Sequence, residues 1–204
     1  MVHKMRIRLL LILLLMTPLL LHADRKQAVE KFTQAQKQLD NRNLPKAEKL
    51  LQESIQADPN YIPAHRLMGD LQYAMRRYNA AADEYAKTLK LNETLQTLSP
   101  DQLHSVTNNL GVAIALGGNL EKAKDTFADA VKQDPDYPLY HYNLSCTYAE
   151  LGQLDPAMEE LQVAWKLRKN LGENERFPDP RQDSSFKNYL NDPKFQETVQ
   201  NMVF

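Results

Sequence analysis

The sequence predicts an all-α fold of helical hairpins stacked in a row, and three observations support it. First, marker residues recur at fixed intervals. Ala47, Ala81, Ala123 and Ala157 stand 34, 42 and 34 residues apart, and so do Leu51, Tyr85, Phe127 and Leu161, and Leu44, Tyr78, Leu120 and Leu154. Gly69, Gly111 and Ser145 follow at 42 and 34, and Pro59 and Pro135 are 76 apart, so eight residues have been inserted once into a constant register. Such a period marks stacked supersecondary units. Second, there are only six glycines in 204 residues, against abundant Ala, Leu, Lys, Gln and Glu, which favours helix. Third, no window shows the period-two alternation of a sheet.

Residues 1–23 differ from the rest. Lys4, Arg6 and Arg8 precede an apolar run from Leu9 to Leu21, broken only by Thr17 and Pro18 and ending in Leu21-His22-Ala23. This is the plan of a signal peptide cleaved after Ala23, and it predicts export, to a bacterial periplasm or cell envelope. The alternative is an uncleaved membrane anchor. Against it, thirteen residues of helix cover about 20 Å of a hydrocarbon core of ~30 Å. Without residues 1–23 the 25 basic residues fall by three to 22, against 26 acidic ones, a net charge of −4. That balance, with no basic stripe, argues against nucleic acid as a partner. Cys146 is the only cysteine, so no intrachain disulfide forms and helix packing must hold the chain together.

From Arg25 to Leu39 the apolar residues Val29, Phe32, Ala35 and Leu39 lie on one helical face. Pro45 opens a second helix, where its missing N–H costs nothing, and Asp58-Pro59-Asn60 ends the pair. The next pair carries Ala64, Leu67, Met68 and Leu71, then Tyr78, Ala81, Tyr85 and Leu89. The insertion falls near Glu93 to Asp101 and reads as a lengthened helix followed by an early start of the next. Ser99-Pro100-Asp101-Gln102 forms a capping box there. The third pair turns at Gly117-Gly118 and stops at Asp134-Pro135-Asp136. The fourth turns at Gly152, with Asp155 expected as N-cap before Pro156. Beyond Leu171 the register is lost. Phe177-Pro178-Asp179-Pro180 is expected to be extended, and two short amphipathic helices follow, placed to cover the exposed end of the stack.

This pattern resembles the tetratricopeptide repeat, a 34-residue helix-turn-helix unit. Helix A of that motif carries a large residue followed by a small one, here Met68-Gly69, Leu110-Gly111 and Leu144-Ser145. Its helix B carries Tyr78, Ala81, Tyr85; Leu120, Ala123, Phe127; and Leu154, Ala157, Leu161. Departures are Ala35 in place of glycine, and Glu93 and Lys169 in place of a closing proline. The resemblance implies a right-handed helical-hairpin solenoid over residues 24–170, with four repeats near 26–61, 62–99, 100–137 and 138–169. An extended loop and capping helices would fill 171–204. The small residues Gly69, Gly111 and Ser145 are expected to face Ala81, Ala123 and Ala157 where the two helices cross.

The resemblance also implies a concave groove lined by helix A residues that escape the core. On this sequence the partner-binding positions are Phe32, Gln36, Arg66, Asp70, Tyr73, Asn108, Asn109, Val112, Tyr142, Asn143 and Cys146, with Val29, Ser105, Ala115, Leu139 and Ala149 at equivalent places. One cation, aromatic anchors and several amides suit an extended peptide or a partner helix. A clamp for a C-terminal carboxylate, known in the family, is disfavoured because Asp70 and Ser105 stand where it needs an amide and a lysine. There is no His-Glu-x-x-His, Cys pair or glycine-rich phosphate loop, and His65 and His141 lie two repeats apart. The resulting reading is a non-catalytic interaction scaffold with no cofactor or metal and a protein or peptide partner. The alternative is a structural component that associates weakly with itself.

Overall fold

The computed structural model describes residues 24–173 and 175–203. The leader inferred for residues 1–23 lies outside them. The described chain is helical without strands, and its helices pair in sequence as the register requires. They are α1 (residues 24–40), α2 (Leu44–Ala57), α3 (Ile62–Ala74), α4 (Tyr78–Leu95), α5 (Pro100–Leu116), α6 (Leu120–Gln133), α7 (Pro138–Glu150), α8 (Leu154–Leu167) and α9 (Pro193–Val199). Each helix packs mainly on its neighbours in sequence, which makes the domain a stack with no single centre.

The turn inside each hairpin is the same device four times. Arg42, Arg76, Gly118 and Gly152 all adopt positive φ, between 57° and 90°. The residue after each donates its backbone N–H back to the carbonyl of Gln38, Gln72, Ile114 or Tyr148, at 2.8–3.2 Å. This is the Schellman closure, in which a left-handed residue lets the chain satisfy the last carbonyls of a helix. Glycine reaches that conformation freely, whereas arginine does so at a cost. Asn43 and Asn119 then cap α2 and α6 by accepting from Lys46 N and Lys122 N. The fourth hairpin corrects an expectation: α8 starts at Leu154 with Gln153 at the cap, and Asp155 lies in the first turn. There Asp155 forms an ion pair with Lys194 of α9. The Schellman geometry fixes the start at Leu154, in register with Leu44, Tyr78 and Leu120.

The insertion is shared between two helices. α4 has 18 residues where α2, α6 and α8 have 14, and α5 has 17 where α3 and α7 have 13. Each gains four residues, about one turn or ~6 Å, so this hairpin overhangs its neighbours. Asn92 Oδ1 holds the turn by accepting from Thr97 N and Leu98 N, both at 2.9 Å. The Ser99–Gln102 capping box is formed in both directions.

Inside the hairpins the small residues meet rings. A Cβ on Gly69 would lie 2.7 Å from Tyr85 Cε1, and one on Gly111 would lie 2.4 Å from Phe127 Cζ. At the two glycines what fills the space is a ring and not the helix B alanine, whereas Ser145 meets Ala157 as expected. The partner is the residue sixteen positions on, and the glycine makes room for an aromatic ring. Where that residue is Leu, as at Leu51 and Leu161, the small position holds Ala35 or Ser145 instead. Ser145 is fully buried and donates its hydroxyl to the Ala157 carbonyl at 2.7 Å.

The tail closes the end of the stack. Residues 184–189 form a 3-10 turn, and α9 lies against α8. Phe186, Phe195, Val199 and Met202 are buried in one cluster with Tyr142, Cys146, Met158 and Leu161. The Trp165 indole meets Phe177 edge-on at 5.4 Å.

Candidate interaction groove

Helix A residues that do not enter the hairpins form one face of the solenoid. In repeat 1, Phe32 is half-buried and edge-on to Tyr61 at 5.5 Å, while Gln36 is exposed. In repeat 2, Arg66 and Tyr73 are half-buried and Asp70 is exposed. Asp70 Oδ1 accepts from the Tyr85 hydroxyl at 2.9 Å, and the Asn109 side chain lies close to the same hydroxyl. Asp70, Tyr85 and Asn109 therefore gather where repeats 2 and 3 meet. Desolvation raises the Asp70 carboxyl above its ordinary value against the opposing pull of the Tyr85 hydrogen bond and Arg66. Burial, then the Asp70 charge, pushes the Tyr85 hydroxyl well up, so it stays a donor. In repeat 3, Asn108, Asn109 and Val112 are half-buried, and Asn143 of repeat 4 donates to Asn108 Oδ1.

Repeat 4 is different. Tyr142 is 2% exposed and Cys146 9%, because the chain's own tail lies on them. The Tyr142 hydroxyl donates to Asp183 Oδ2 at 2.8 Å, and its ring takes Phe177 edge-on at 5.4 Å. The expected open groove at Tyr142 and Cys146 is thus replaced by an internal contact. Burial drives the Cys146 thiol well above its ordinary value, and the nearby Asp183 adds to this.

Two features were missed from sequence. The repeat register places Tyr85 only as a helix B motif residue; its hydroxyl, absent from Phe127, is the signal of a further role. A cleft of about 290 Å³ lies between the start of α3 and the overhanging α4–α5 turn, with Arg25, Tyr61, Ile62, Arg66, Leu95 and Leu98 in its wall. Leu95 and Leu98 come from the insertion, so the extra turn builds a wall beside Arg66. Arg25 is held there by Asp58 at 2.5 Å and lies 5.1 Å over the Tyr61 ring.

The three histidines beyond residue 23 sit at joints between repeats. His65 Nδ1 lies 2.7 Å from Glu84 and Nε2 3.0 Å from the Pro59 carbonyl. His141 repeats this with Glu160 at 2.6 Å and the Pro135 carbonyl at 2.9 Å. His104 pairs with Asp134 at 2.7 Å and stacks on Tyr137 at 3.9 Å. Among the described residues no group of His, Cys, Asp and Glu could hold a metal ion, and no helix is long and apolar enough to cross a membrane.

Comparison with known proteins agrees with this architecture. Residues 139–171 match the family model for the tetratricopeptide repeat. The chain is 34% identical over 80 residues to the TPR repeat-containing thioredoxin TTL4 of Arabidopsis thaliana, covering 39% of this chain and 12% of that protein. It is 27% identical over 106 residues to the probable UDP-N-acetylglucosamine–peptide N-acetylglucosaminyltransferase SPINDLY of Hordeum vulgare, covering 52% of this chain and 11% of that one. The chain therefore spans only about a tenth of these relatives. Among solved structures, one of MamA superposes with a TM-score of 0.60 at 17% identity, covering 78% of this chain and 83% of that chain. Another, MamA MSR-1, gives 0.57 at 20%, covering 69% and 76%. The fold is that of a tetratricopeptide-repeat solenoid, and the match to the family model lies in its fourth repeat.

Proposed function

We propose that this protein is an exported, non-catalytic adaptor that binds an extended peptide or a helix of a partner protein along the concave face of repeats 1–3. One observation carries the reading. Arg66, Asp70, Tyr73, Asn108, Asn109 and Val112 line a continuous face that the solenoid's own packing leaves accessible, while the equivalent face of repeat 4 already holds a peptide segment, the tail. A cation, a carboxylate, an aromatic anchor and several amides suit main-chain and side-chain recognition of an unfolded stretch. Export rests on the basic, apolar and small-residue order of residues 1–23. The fold alone does not name the partner.

The test compares the whole chain with an Arg66→Ala/Tyr73→Ala/Asn109→Ala variant in crosslinked capture from the envelope fraction. A partner crosslinked along α3 and α5, and lost from the variant at unchanged helicity and melting, is the expected result. Undiminished capture by the variant would remove the groove from the reading. Mass spectrometry of the mature N-terminus is expected to find Asp24 first; an intact residue 1 would favour the anchored form.

A further inference from the structure

The segment from Phe177 to Ser185 behaves as a ligand that happens to be covalently attached. Residues 177–183 are irregular and lead into the 3-10 turn at Ser184, and the segment crosses the concave side of α7 through side-chain contacts. Phe177 meets the Tyr142 ring, and Asp183 accepts from the Tyr142 hydroxyl at 2.8 Å and from Cys146 Sγ at 3.7 Å. Ser185 donates to Glu150 Oε1 at 2.7 Å. Its shape is set by its own residues. The Asp179 carboxylate receives Arg181 N at 3.0 Å, Nε at 2.8 Å and Nη2 at 3.0 Å, while Pro178 and Pro180 fix the backbone. A preformed segment loses little entropy on docking. Phe186, Phe195 and Val199, each no more than 2% exposed, anchor the tail beyond the segment, and the fully buried Pro180 anchors it within. Three anchors lie outside residues 177–185, so the cap of the solenoid does not rest on that segment alone.

We propose that the concave face of repeat 4 is a peptide-binding site occupied by the chain's own segment 177–185. Its ligand class is an extended stretch with an aromatic residue, prolines directly after it, and a carboxylate six residues on. An external segment of that pattern competes with the internal one. This does not depend on the partner inferred for repeats 1–3, because the test needs only this chain and its own peptide.

Cys146, the single cysteine, lies beneath the segment and reports its departure. In the whole chain, Phe177→Ala/Asp183→Ala is expected to speed maleimide alkylation of Cys146 by at least about tenfold at unchanged far-UV ellipticity, since local opening governs access to a covered group. A synthetic peptide of residues 175–185 added in trans should slow the reaction again, saturably. The same peptide carrying both substitutions should not. Should the double variant lose helicity, Asp183→Asn gives the same readout with the backbone bonds of the turn kept. Unchanged alkylation in the folded variant overturns the proposal, as does acceleration that neither peptide reverses or that both reverse equally.

Discussion

Repeats 3 and 4 share a backbone register and differ in what faces the groove. α5 presents Asn108, Val112 and Ala115, which remain half-exposed; α7 presents Tyr142, Cys146 and Ala149 at the matching places, and all three are buried under the tail. The interiors differ in parallel. Repeat 3 pairs Gly111 with the Phe127 ring, and repeat 4 pairs Ser145 with Leu161. The scaffold positions are thus interchangeable modules, in which a ring on one helix demands the absence of a side chain on the other. Surface chemistry is chosen separately, by three or four residues per repeat. An apolar row at the end of a stack draws in the chain's own tail, and an amide row in the middle stays available to others.

The sharpest break in the comparison is Phe186→Ala. This ring is fully buried between repeat 4 and α9, and its truncation is expected to cost about 3–5 kcal/mol. Hydrogen exchange should localise the loss to α7, α8 and the tail, with α2–α4 protected as before. Uniform loss across the chain would show that the repeats do not act as separate units.

Gly111→Ala is the next largest. The added Cβ meets the tip of the buried Phe127 ring at 2.4–2.7 Å, where the packed core leaves the ring little room to move, so overpacking of ~1–3 kcal/mol is expected in denaturant unfolding. Adding Phe127→Leu recreates the small-residue and leucine pairing of repeats 1 and 4, and the double variant should be less destabilised than the sum of the two single ones. Strict additivity would break the pairing rule.

The joints give a pH dependence. Both ring nitrogens of His141 face acceptors, Glu160 and the Pro135 carbonyl, so both bonds form only when both nitrogens carry protons. Burial works against the charged ring, but Glu160, the Pro135 carbonyl and Asp136 outweigh it and raise the His141 pKa above its ordinary 6.5. A raised folded-state value means that stability is fully present below the unfolded pKa and is lost as pH rises through the folded one. Melting temperature should therefore fall on going from mildly acidic pH to above that folded value. His141→Gln should flatten part of the slope, and a slope unchanged by that substitution would assign it to other groups.

The fold was readable because its determinants are local. Ala47, Gly69, Tyr85 and their counterparts repeat in register, and each hairpin closes within its own sequence. The extra turn on α4 and α5 was readable from one irregular interval and a capping box. The route of the tail was not, because Phe177 and Asp183 carry no period and meet Tyr142 across 35 and 41 residues. His65 and His141 could be seen to share a position, but their carboxylate partners nineteen residues on meet them only once the hairpin has closed. Groove residues were placed by the resemblance, which locates positions on helix A and is blind to what another part of the chain lays over them.

Asp70 yields the smallest expected change. Its carboxylate is desolvated enough for its pKa to be raised, yet it stays solvent-accessible at the middle of the open groove. A raised carboxyl value means that the charged form is a net cost to folding at neutral pH, one that solvent screening keeps small. Asp70→Asn retains an acceptor for the Tyr85 hydroxyl and removes that cost, so melting at neutral pH should hold or rise, by less than about 1 kcal/mol. If repeat 2 recognises its partner through this carboxylate, the same substitution weakens capture while it stabilises the solenoid. That opposition separates repeat 2 from repeat 4, where Asp183→Asn removes an internal contact and is expected to gain no stability. A variant of Asp70 that loses stability and keeps capture would place this residue with the scaffold.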